Sequence, residues 1–129
     1  MLAIPTDSIK PDVKSSALFG NVNYFALYNP KEGNFRFVPN ITSGDGVKTA
    51  EFLKMNMVSK VVYSYMGKGP FNTLNESNIE VFFLGALPLA LDEIVLALDK
   101  DAFTQVTEQN AAQYLDSGTQ TGECQCGCN

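Results

Sequence analysis

The sequence contains no histidine and no tryptophan, and its three cysteines all lie within the last six residues. Without histidine, the chain lacks the commonest general base and the commonest ligand of transition metals. Cysteines confined to one end of the chain cannot cross-link the folded body through disulfide bonds. These absences exclude a histidine-based catalytic centre and a disulfide-stabilised scaffold.

Positive charge is also scarce. Arg36 is the only arginine, and nine basic residues against fourteen acidic ones give a formal net charge of −5. A protein that binds a nucleic-acid backbone needs clustered lysines and arginines to neutralise the phosphates. The composition therefore predicts that nucleic acid is not a partner.

Long apolar runs are missing as well. The most apolar segment, residues 81–91, is about half as long as a membrane-spanning helix and contains Gly85 and Pro88. The first residues, Met1 to Asp7, lack the basic region and the long apolar stretch of a signal peptide. We therefore expect a cytoplasmic protein that does not enter a membrane.

The 129 residues are enough for one domain with a hydrophobic core. Runs of β-branched and aromatic residues predict five strands, and an apolar period near 3.6 residues predicts the helices. The predicted elements are strands at 2–6, 24–28, 35–38, 58–64 and 79–84, and helices at 47–57, from Pro70 to about Asn78, from Pro88 to Leu98 and, more weakly, at 108–115.

This order predicts an α/β fold with a mixed five-stranded sheet, strand order 3-2-1-4-5, and helices on both faces. The arrangement resembles the ribonuclease H-like motif. The second and third strands form a hairpin with Gly33 in the left-handed conformation. We expect residues 1–115 to form the domain and residues 116–129, which are polar apart from their cysteines, to form a flexible C-terminal tail.

Two glycine loops precede predicted helices: Gly44-Asp45-Gly46 and Gly67-Lys68-Gly69. In a sheet of this type, ligands bind beyond the carboxyl ends of the parallel strands. Two helix N-termini at that edge would favour an anion, and Lys68 would add a positive charge. Asp7 after the first strand and Leu18-Phe19-Gly20 before the second should reach the same crevice.

Each of these features also has a purely structural interpretation. A Gly-x-Gly pair before a helix is often only a tight turn, and the alternative for Lys68 is an ordinary surface lysine. Asp7 could suggest a nuclease, but that chemistry needs several converging carboxylates that hold two metal ions. Because the other central strands offer only Glu80, we interpret Asp7 as a turn residue.

The C-terminal sequence Cys124-x-Cys126-x-Cys128 places three thiols within five residues. Thiolates are soft ligands for copper(I), zinc or iron–sulfur species. Three of them leave one tetrahedral position for another ligand. The spacing differs from that of C-x-x-C zinc sites, so no particular metal is indicated, and a reduced tail that binds no metal is the alternative.

Five segments follow one another in a characteristic order and spacing: Ala3-Ile-Pro-Thr-Asp7, Ser16-Ala-Leu-Phe-Gly20 followed by Tyr24-Phe-Ala-Leu-Tyr28, Asn40 before Gly44-Asp-Gly46, the apolar strand before Gly67-Lys-Gly69-Pro70, and Asn78-Ile-Glu-Val-Phe-Phe83. Through these segments, roughly residues 2–99 resemble the dinitrogenase iron-molybdenum cofactor-binding family. The resemblance implies a ribonuclease H-like fold and a protein that binds, carries or helps to assemble a large anionic metal–sulfur cofactor.

The cofactor-binding residues that follow from the loops and the resemblance are Asp7, Leu18, Phe19, Gly20, Asn40, Gly44, Gly46, Met66, Gly67, Lys68 and Gly69, with Cys124, Cys126 and Cys128 as metal ligands. One difference from the family pattern concerns histidine. The family typically has histidine just before Phe-Gly, where this chain has Leu18, and often in the loop before the first helix. If a cluster binds, backbone amides, Asn40, Lys68 or Met66 must hold it, or the cysteines must supply the thiolates.

The leading hypothesis is a non-enzymatic accessory or carrier protein for a metal–sulfur cofactor, either an iron–sulfur or a molybdenum-containing cluster. It implies a donor or acceptor protein as partner and a monomer or weak homodimer. A second hypothesis is a protein-interaction or regulatory module of the same fold that has lost cofactor binding together with histidine. A third, an enzyme that acts on a small anion, lacks a nucleophile–base pair in the sequence.

Overall fold

A six-stranded mixed β-sheet forms the centre of the computed structural model, which describes residues 1–115. The strands are β1 (Leu2–Thr6), β2 (Tyr24–Asn29), β3 (Asn34–Pro39), β4 (Lys60–Tyr63), β5 (Glu80–Phe83) and β6 (Thr104–Val106). The helices are α1 (Gly46–Met55), α2 (Lys68–Glu76), α3 (Leu91–Asp99) and α4 (Ala111–Tyr114). Residues 116–129, where the tail is predicted, lie outside the described part.

The strand order is β3-β2-β1-β4-β5-β6. The β1–β2, β2–β3 and β5–β6 pairs are antiparallel, whereas β4 is parallel to both β1 and β5. The predicted α/β fold and the order 3-2-1-4-5 are confirmed. The number of strands is six instead of five, because β6 was not predicted. It has only three residues, of which Val106 alone is buried, so it produces no recognisable alternation.

Successive residues of the central strands point to opposite faces of the sheet. Ala3 and Val61 belong to one core cluster, together with residues of α1, α2 and α4. Ile4 and Val62 belong to a second cluster, together with residues of α3. Helices therefore cover both faces, as the sequence predicted, and the sheet separates two hydrophobic cores.

The hairpin between β2 and β3 turns through Gly33, whose φ of 71° is the left-handed conformation that was predicted. Its register pairs Asn29 with Asn34, and Tyr28 packs against Phe35 with ring centroids 5.0 Å apart. This turn lies at the end of the sheet where strand β1 begins, because Leu2 pairs with Tyr28.

Helices α2, α3 and α4 begin two or three residues away from the predicted positions. Helix α2 starts at Lys68, which makes Pro70 its third residue instead of its first. Helix α3 starts at Leu91 and not at Pro88, because the preceding Leu89 is held by Ser15, whose backbone N–H donates to the Leu89 carbonyl (2.8 Å).

Helix α4 is shorter than the predicted 108–115. The side chain of Asn110 accepts a hydrogen bond from the Thr107 backbone N–H at 2.8 Å, and this contact closes a turn before the helix.

The helices of residues 1–115 include none with the length and apolar character of a membrane span.

Candidate functional site

A crevice of about 450 Å³ opens beyond the carboxyl end of β4, where the starts of α1 and α2 meet the loop before β2. This volume is in the range of small-molecule sites. The residues predicted for the site that line the crevice are Leu18, Phe19, Gly20, Gly44, Gly46, Met66, Gly67, Lys68 and Gly69. Three of the four segments expected at this edge therefore converge on one crevice.

Asp7, in the fourth segment, lies elsewhere. It is exposed and lines a separate hollow with Ser8, Lys10 and Tyr24. The Thr6 hydroxyl donates to the Ser8 carbonyl (3.0 Å), so the chain turns immediately after β1. This geometry matches a turn residue, and Asp7 is not brought to the crevice with the glycine loops.

Asn40 lies beneath the first glycine loop and is only 6% exposed. Its amide group donates to the Val22 carbonyl (3.0 Å), and its side-chain oxygen accepts hydrogen bonds from the backbone N–H and the hydroxyl of Thr42 at 3.1 and 2.7 Å. Both ends of the side chain are therefore used within the protein. Asn40 ties the loop before α1 to the loop before β2 and does not line the crevice.

The first glycine loop is closed by its own hydrogen bonds. The Asp45 carboxylate accepts from the Lys48 backbone N–H (3.0 Å), which caps the N-terminus of α1. Gly44 donates to the Gly20 carbonyl (2.9 Å) and has a φ of 99°. This loop therefore uses part of its hydrogen-bonding capacity and places one negative charge beside the helix start.

Gly46 allows the two helix starts to touch. A Cβ atom at Gly46 would lie 2.4 Å from Cγ of Pro70, and one at Gly20 would lie 3.0 Å from Cα of Gly46. These distances leave no room for a side chain. Gly46 and Gly20 are thus required by packing between protein segments, and their smallness alone does not indicate a ligand.

The second glycine loop is more open. No side chain caps the N-terminus of α2, and its first turn contains no acidic residue. A Cβ atom at Gly67 would meet only Pro70 at 3.8 Å, and one at Gly69 would be 3.4 Å from Val47. Because Pro70 has no N–H, the backbone donors at this helix start are those of Lys68 and Gly69, beside the exposed ammonium of Lys68.

The remaining walls of the crevice are mostly apolar. Leu18, Val47 and Tyr65 are exposed by 48%, 40% and 52%, although they are large hydrophobic residues. Phe19 and Met66 are almost fully buried, and Phe19 packs edge-to-face on Phe25 with a centroid distance of 5.7 Å. The crevice therefore combines an apolar rim with amides and one ammonium group.

Five lining residues were not among the predicted site residues: Asn21, Asp45, Val47, Tyr65 and Pro70. Asp45 and Pro70 are adjacent to the loop glycines in sequence, and this adjacency could have predicted that they line the crevice. Val47 is an apolar residue at the start of the predicted helix 47–57, and the apolar period of that helix does not reveal its exposure. Tyr65 follows the buried Ser64 at the end of β4, where periodicity carries no information.

The side chains of the crevice do not form a metal-ligand set. Within residues 1–115, no group of three His, Cys, Asp or Glu side chains could hold a metal ion. The Met66 thioether is in the core, and Asp45 is engaged as a helix cap. The crevice fits a bulky anion through amides, the ammonium and apolar contact, whereas direct metal ligation needs atoms from elsewhere. Cys124, Cys126 and Cys128 lie outside the described residues.

The fold is shared with solved structures. The apo form of the orange protein from Desulfovibrio gigas is similar with a TM-score of 0.74 and 17% sequence identity, over 82% of this chain and 92% of that one. A NifB-type protein from Thermotoga is similar with a TM-score of 0.69 and 23% identity, over 83% of this chain and 97% of that one. No curated protein sequence matches the chain significantly.

Sequence comparison with protein families gives a match that covers most of the chain. The family described as dinitrogenase iron-molybdenum cofactor matches residues 1–101, which include every element from β1 to α3 and all the walls of the crevice. The resemblance noted in the sequence is thereby confirmed, and the chain belongs to the dinitrogenase iron-molybdenum cofactor family.

Proposed function

We propose that this protein is a non-enzymatic accessory or carrier protein that binds an anionic metal–sulfur cofactor in the crevice between the starts of α1 and α2. The observation that carries the proposal is the uncapped N-terminus of α2, which opens into the crevice beside Lys68. Family membership supplies the class of cargo. A helix N-terminus attracts anions through its free amides and its dipole.

The crevice residues would hold the cargo without bonding to its metal atoms. The amides of Lys68 and Gly69 and the Lys68 ammonium would contact its negative charge. Leu18, Val47 and Tyr65 would cover its surface and exclude water, which strengthens these electrostatic contacts. Iron–sulfur and molybdenum-containing clusters both meet this description.

Cys124, Cys126 and Cys128 would supply thiolates as the metal ligands that the crevice lacks. Thiolates bind iron–sulfur species and other soft metal centres. A reducing compartment keeps such thiols free, so we place the protein in the cytoplasm, where a donor or acceptor protein would exchange the cargo with a monomer or weak homodimer.

Catalysis needs groups that the described part of the crevice does not provide. Its ionisable side chains are Asp45, Tyr65 and Lys68. Asp45 caps a helix, and the lining residues in the described part of the chain include the Tyr65 phenol but no serine, threonine, cysteine or histidine that could form a nucleophile–base pair. The proposal therefore assigns storage and transfer of cargo, and no chemical step, to this chain.

Anaerobic reconstitution of the full chain with iron, molybdate and sulfide, followed by metal analysis, tests the proposal. We expect stoichiometric metal in the intact chain and loss of most of it when Cys124, Cys126 and Cys128 are all changed to Ser. If the intact chain contains no metal after reconstitution, the carrier function is refuted. Equal metal in the two proteins would refute only the role of the thiolates.

A second candidate function is a protein-interaction module that no longer carries a cofactor. The exposed rim of Leu18, Val47 and Tyr65 favours it, because exposed apolar patches mark docking sites. This alternative predicts that a partner is retained by the protein after residues 116–129 are deleted, and lost when Leu18 and Tyr65 are both changed to Ser. Pull-down with the two variants distinguishes it from the carrier function.

A further inference from the structure

The two lateral edges of the sheet, β3 and β6, differ in how their backbone groups are used. Each edge strand has a neighbour on one side only, because the strand order is β3-β2-β1-β4-β5-β6. An edge strand therefore presents N–H and C=O groups that no other strand binds, and proteins usually protect them.

The β6 edge is protected by Asn110. The side-chain oxygen of Asn110 accepts from the Thr107 N–H (2.8 Å), and its amide group donates to the Gln105 carbonyl (3.0 Å). These two backbone groups are two residues apart, so Asn110 occupies the place that a residue of a neighbouring strand would take. Strand β6 is also only three residues long, which leaves little edge to pair.

Strand β3 has six residues and a different edge. The Asn40 N–H donates to the Asn23 carbonyl (2.9 Å), so the backbone of Asn40 faces β2. Because the ladder alternates, the backbone groups of Arg36 also face β2, and those of Phe35 and Phe37 point away from the sheet. Among the loop and cap hydrogen bonds of residues 1–115, none uses the backbone of Phe35 or Phe37.

Arg36 lies in the middle of this open edge. It is exposed, and the ion pair within 4.0 Å that the described residues form is Lys60–Glu80, so Arg36 has no carboxylate partner there. Phe35 and Phe37 are half-buried on the other face of the sheet, against the core beneath α3. The β3 edge therefore combines two outward N–H groups, one cation and two aromatic rings that an added strand would cover.

A second copy of the chain fits this edge poorly. Antiparallel pairing of Phe35 with Phe37 of the second copy would place the two Arg36 side chains opposite each other, and like charges at opposed positions destabilise a sheet. Pairing centred on Phe37 would place Pro39 opposite Phe35, and proline has no N–H for the Phe35 carbonyl. A segment with a carboxylate opposite Arg36 has neither disadvantage.

We propose that β3 is a docking site for an extended acidic segment of a partner protein, which adds to the sheet antiparallel to β3. The segment exchanges backbone hydrogen bonds with Phe35 and Phe37, and an Asp or Glu side chain lies opposite Arg36. In such strand addition, main-chain hydrogen bonds give affinity and alternate side chains give specificity. The inference does not rest on the proposed function, because no residue of β3 lines the crevice.

Titration of the full, ¹⁵N-enriched chain with a synthetic peptide tests this site. The probe is acetyl-Ser-Thr-Val-Glu-Tyr-Thr-Ser-amide, whose Val and Tyr pair with Phe37 and Phe35 when Glu faces Arg36. We expect the amide signals of residues 34–38 to shift and those of residues 104–106, at the protected edge, to stay unchanged. Deuterium exchange of the Phe35 and Phe37 amides should slow. Unchanged signals for residues 34–38 at the solubility limit of the peptide, or equal shifts at both edges, would overturn the proposal.

Reversal of charge tests the role of Arg36. A peptide with Lys in place of Glu should bind roughly two- to fivefold more weakly, and the Arg36→Glu protein should prefer that Lys peptide. Because Arg36 is exposed, this variant should fold normally. Lys31→Glu, in the exposed β2–β3 turn, makes the same change in net charge and should keep the preference for the Glu peptide. An unchanged preference in the Arg36→Glu protein contradicts an acidic partner.

Methylation of the peptide tests the backbone pairing without any change in the protein. N-methylation at Val and Tyr removes the two donors that face β3, so binding should be lost. N-methylation at Glu, whose amide faces away from β3, should leave most of the binding. Equal effects of the two modifications would exclude strand addition.

Self-association is the competing use of this edge. If the signals of residues 34–38 shift with protein concentration alone and the peptide does not reverse the change, a second copy occupies β3 and the proposal fails. If the chain sediments as a monomer and binds the Glu peptide at β3, the docking site stands, whether or not the reconstituted protein takes up metal. Metal uptake by a chain that ignores the peptide would leave the carrier function intact and remove this inference.

Discussion

The two glycine loops of this protein are alike in sequence and different in structure. Gly44-Asp45-Gly46 is closed: it caps its helix through Asp45, contains a left-handed glycine and packs tightly at Gly46. Gly67-Lys68-Gly69 is open, with no side-chain cap and no contact at either glycine closer than 3.4 Å for an added Cβ. The first loop packs against other protein segments, whereas the second has backbone N–H groups at the start of its helix that no side chain caps.

This difference shows that a glycine before a helix has at least two physical causes. At Gly46 the cause is the approach of another protein segment, since Pro70 occupies the space of a side chain. At Gly67 and Gly69, contacts within the described protein do not demand glycine. The comparison can be tested by matched substitutions in the two loops.

Gly46→Ala should have the largest effect. The added methyl would lie 2.4 Å from Cγ of Pro70, so the starts of α1 and α2 must separate. We expect a loss of about 1–3 kcal/mol in the free energy of unfolding. Gly69→Ala is the control: helix propensity favours alanine, and stability should be unchanged or rise by up to about 1 kcal/mol. Urea denaturation measures both, and a stable Gly46→Ala protein would contradict the packing role.

Gly44→Ala should come next. A φ of 99° strains any residue with a Cβ, and we expect a cost of about 1–2 kcal/mol. Gly67, with a φ of −79°, is the matched position in the second loop. Gly67→Ala should change the free energy of unfolding by less than about 0.5 kcal/mol. Equal losses at the two positions, measured by thermal unfolding, would remove this distinction between the loops.

Exchange of the cap tests the electrostatic difference. Asp45→Ala removes the side chain that accepts from the Lys48 N–H and should cost about 1 kcal/mol of stability. Gly67→Asp adds the corresponding carboxylate to α2 and should stabilise the fold by a few tenths of a kcal/mol. The same carboxylate should compete with an anion for the free amides, so metal uptake on reconstitution should fall. Undiminished uptake by Gly67→Asp would argue against anion binding at α2.

Lys68→Gln should have the smallest effect on stability, within about 0.5 kcal/mol, because Lys68 is exposed. Its effect on binding should be larger: loss of one ammonium near an anion should weaken tetrathiomolybdate binding roughly two- to fivefold, and less at high salt. Lys31→Gln, in the β2–β3 turn at the opposite edge of the sheet, is the charge-matched control. If both variants bind equally well in titration calorimetry, Lys68 does not contact the cargo.

Strand patterns made most of the fold predictable. The apolar residues of β1, β4 and β5 alternate between two cores. A strand that is buried on both faces appears in the sequence as a continuous apolar run, which is easy to recognise. Gly33 marked its turn because a left-handed residue there is nearly always glycine. Strand β6 was not predicted, because three residues with one buried side chain show no alternation of buried and exposed positions.

The candidate site was less predictable than the fold. The convergence of the loops followed from topology alone. The role of an individual residue did not follow from topology. Gly46, for example, contacts Pro70, and these two segments become neighbours only after folding. Asn40 is similar: its sequence position suggested a ligand contact, whereas its hydrogen bonds hold two loops together. Val47 and Tyr65 are apolar residues whose exposure becomes visible only in three dimensions.

The metal content of the full chain purified without oxygen tests the central claim most directly. The intact protein should carry iron, with or without molybdenum, together with visible absorption from sulfur-to-metal charge transfer. Both should decrease in the Gly67→Asp protein and in the protein that lacks Cys124, Cys126 and Cys128. Colourless protein without stoichiometric metal, isolated from cells that synthesise such clusters, would contradict the account.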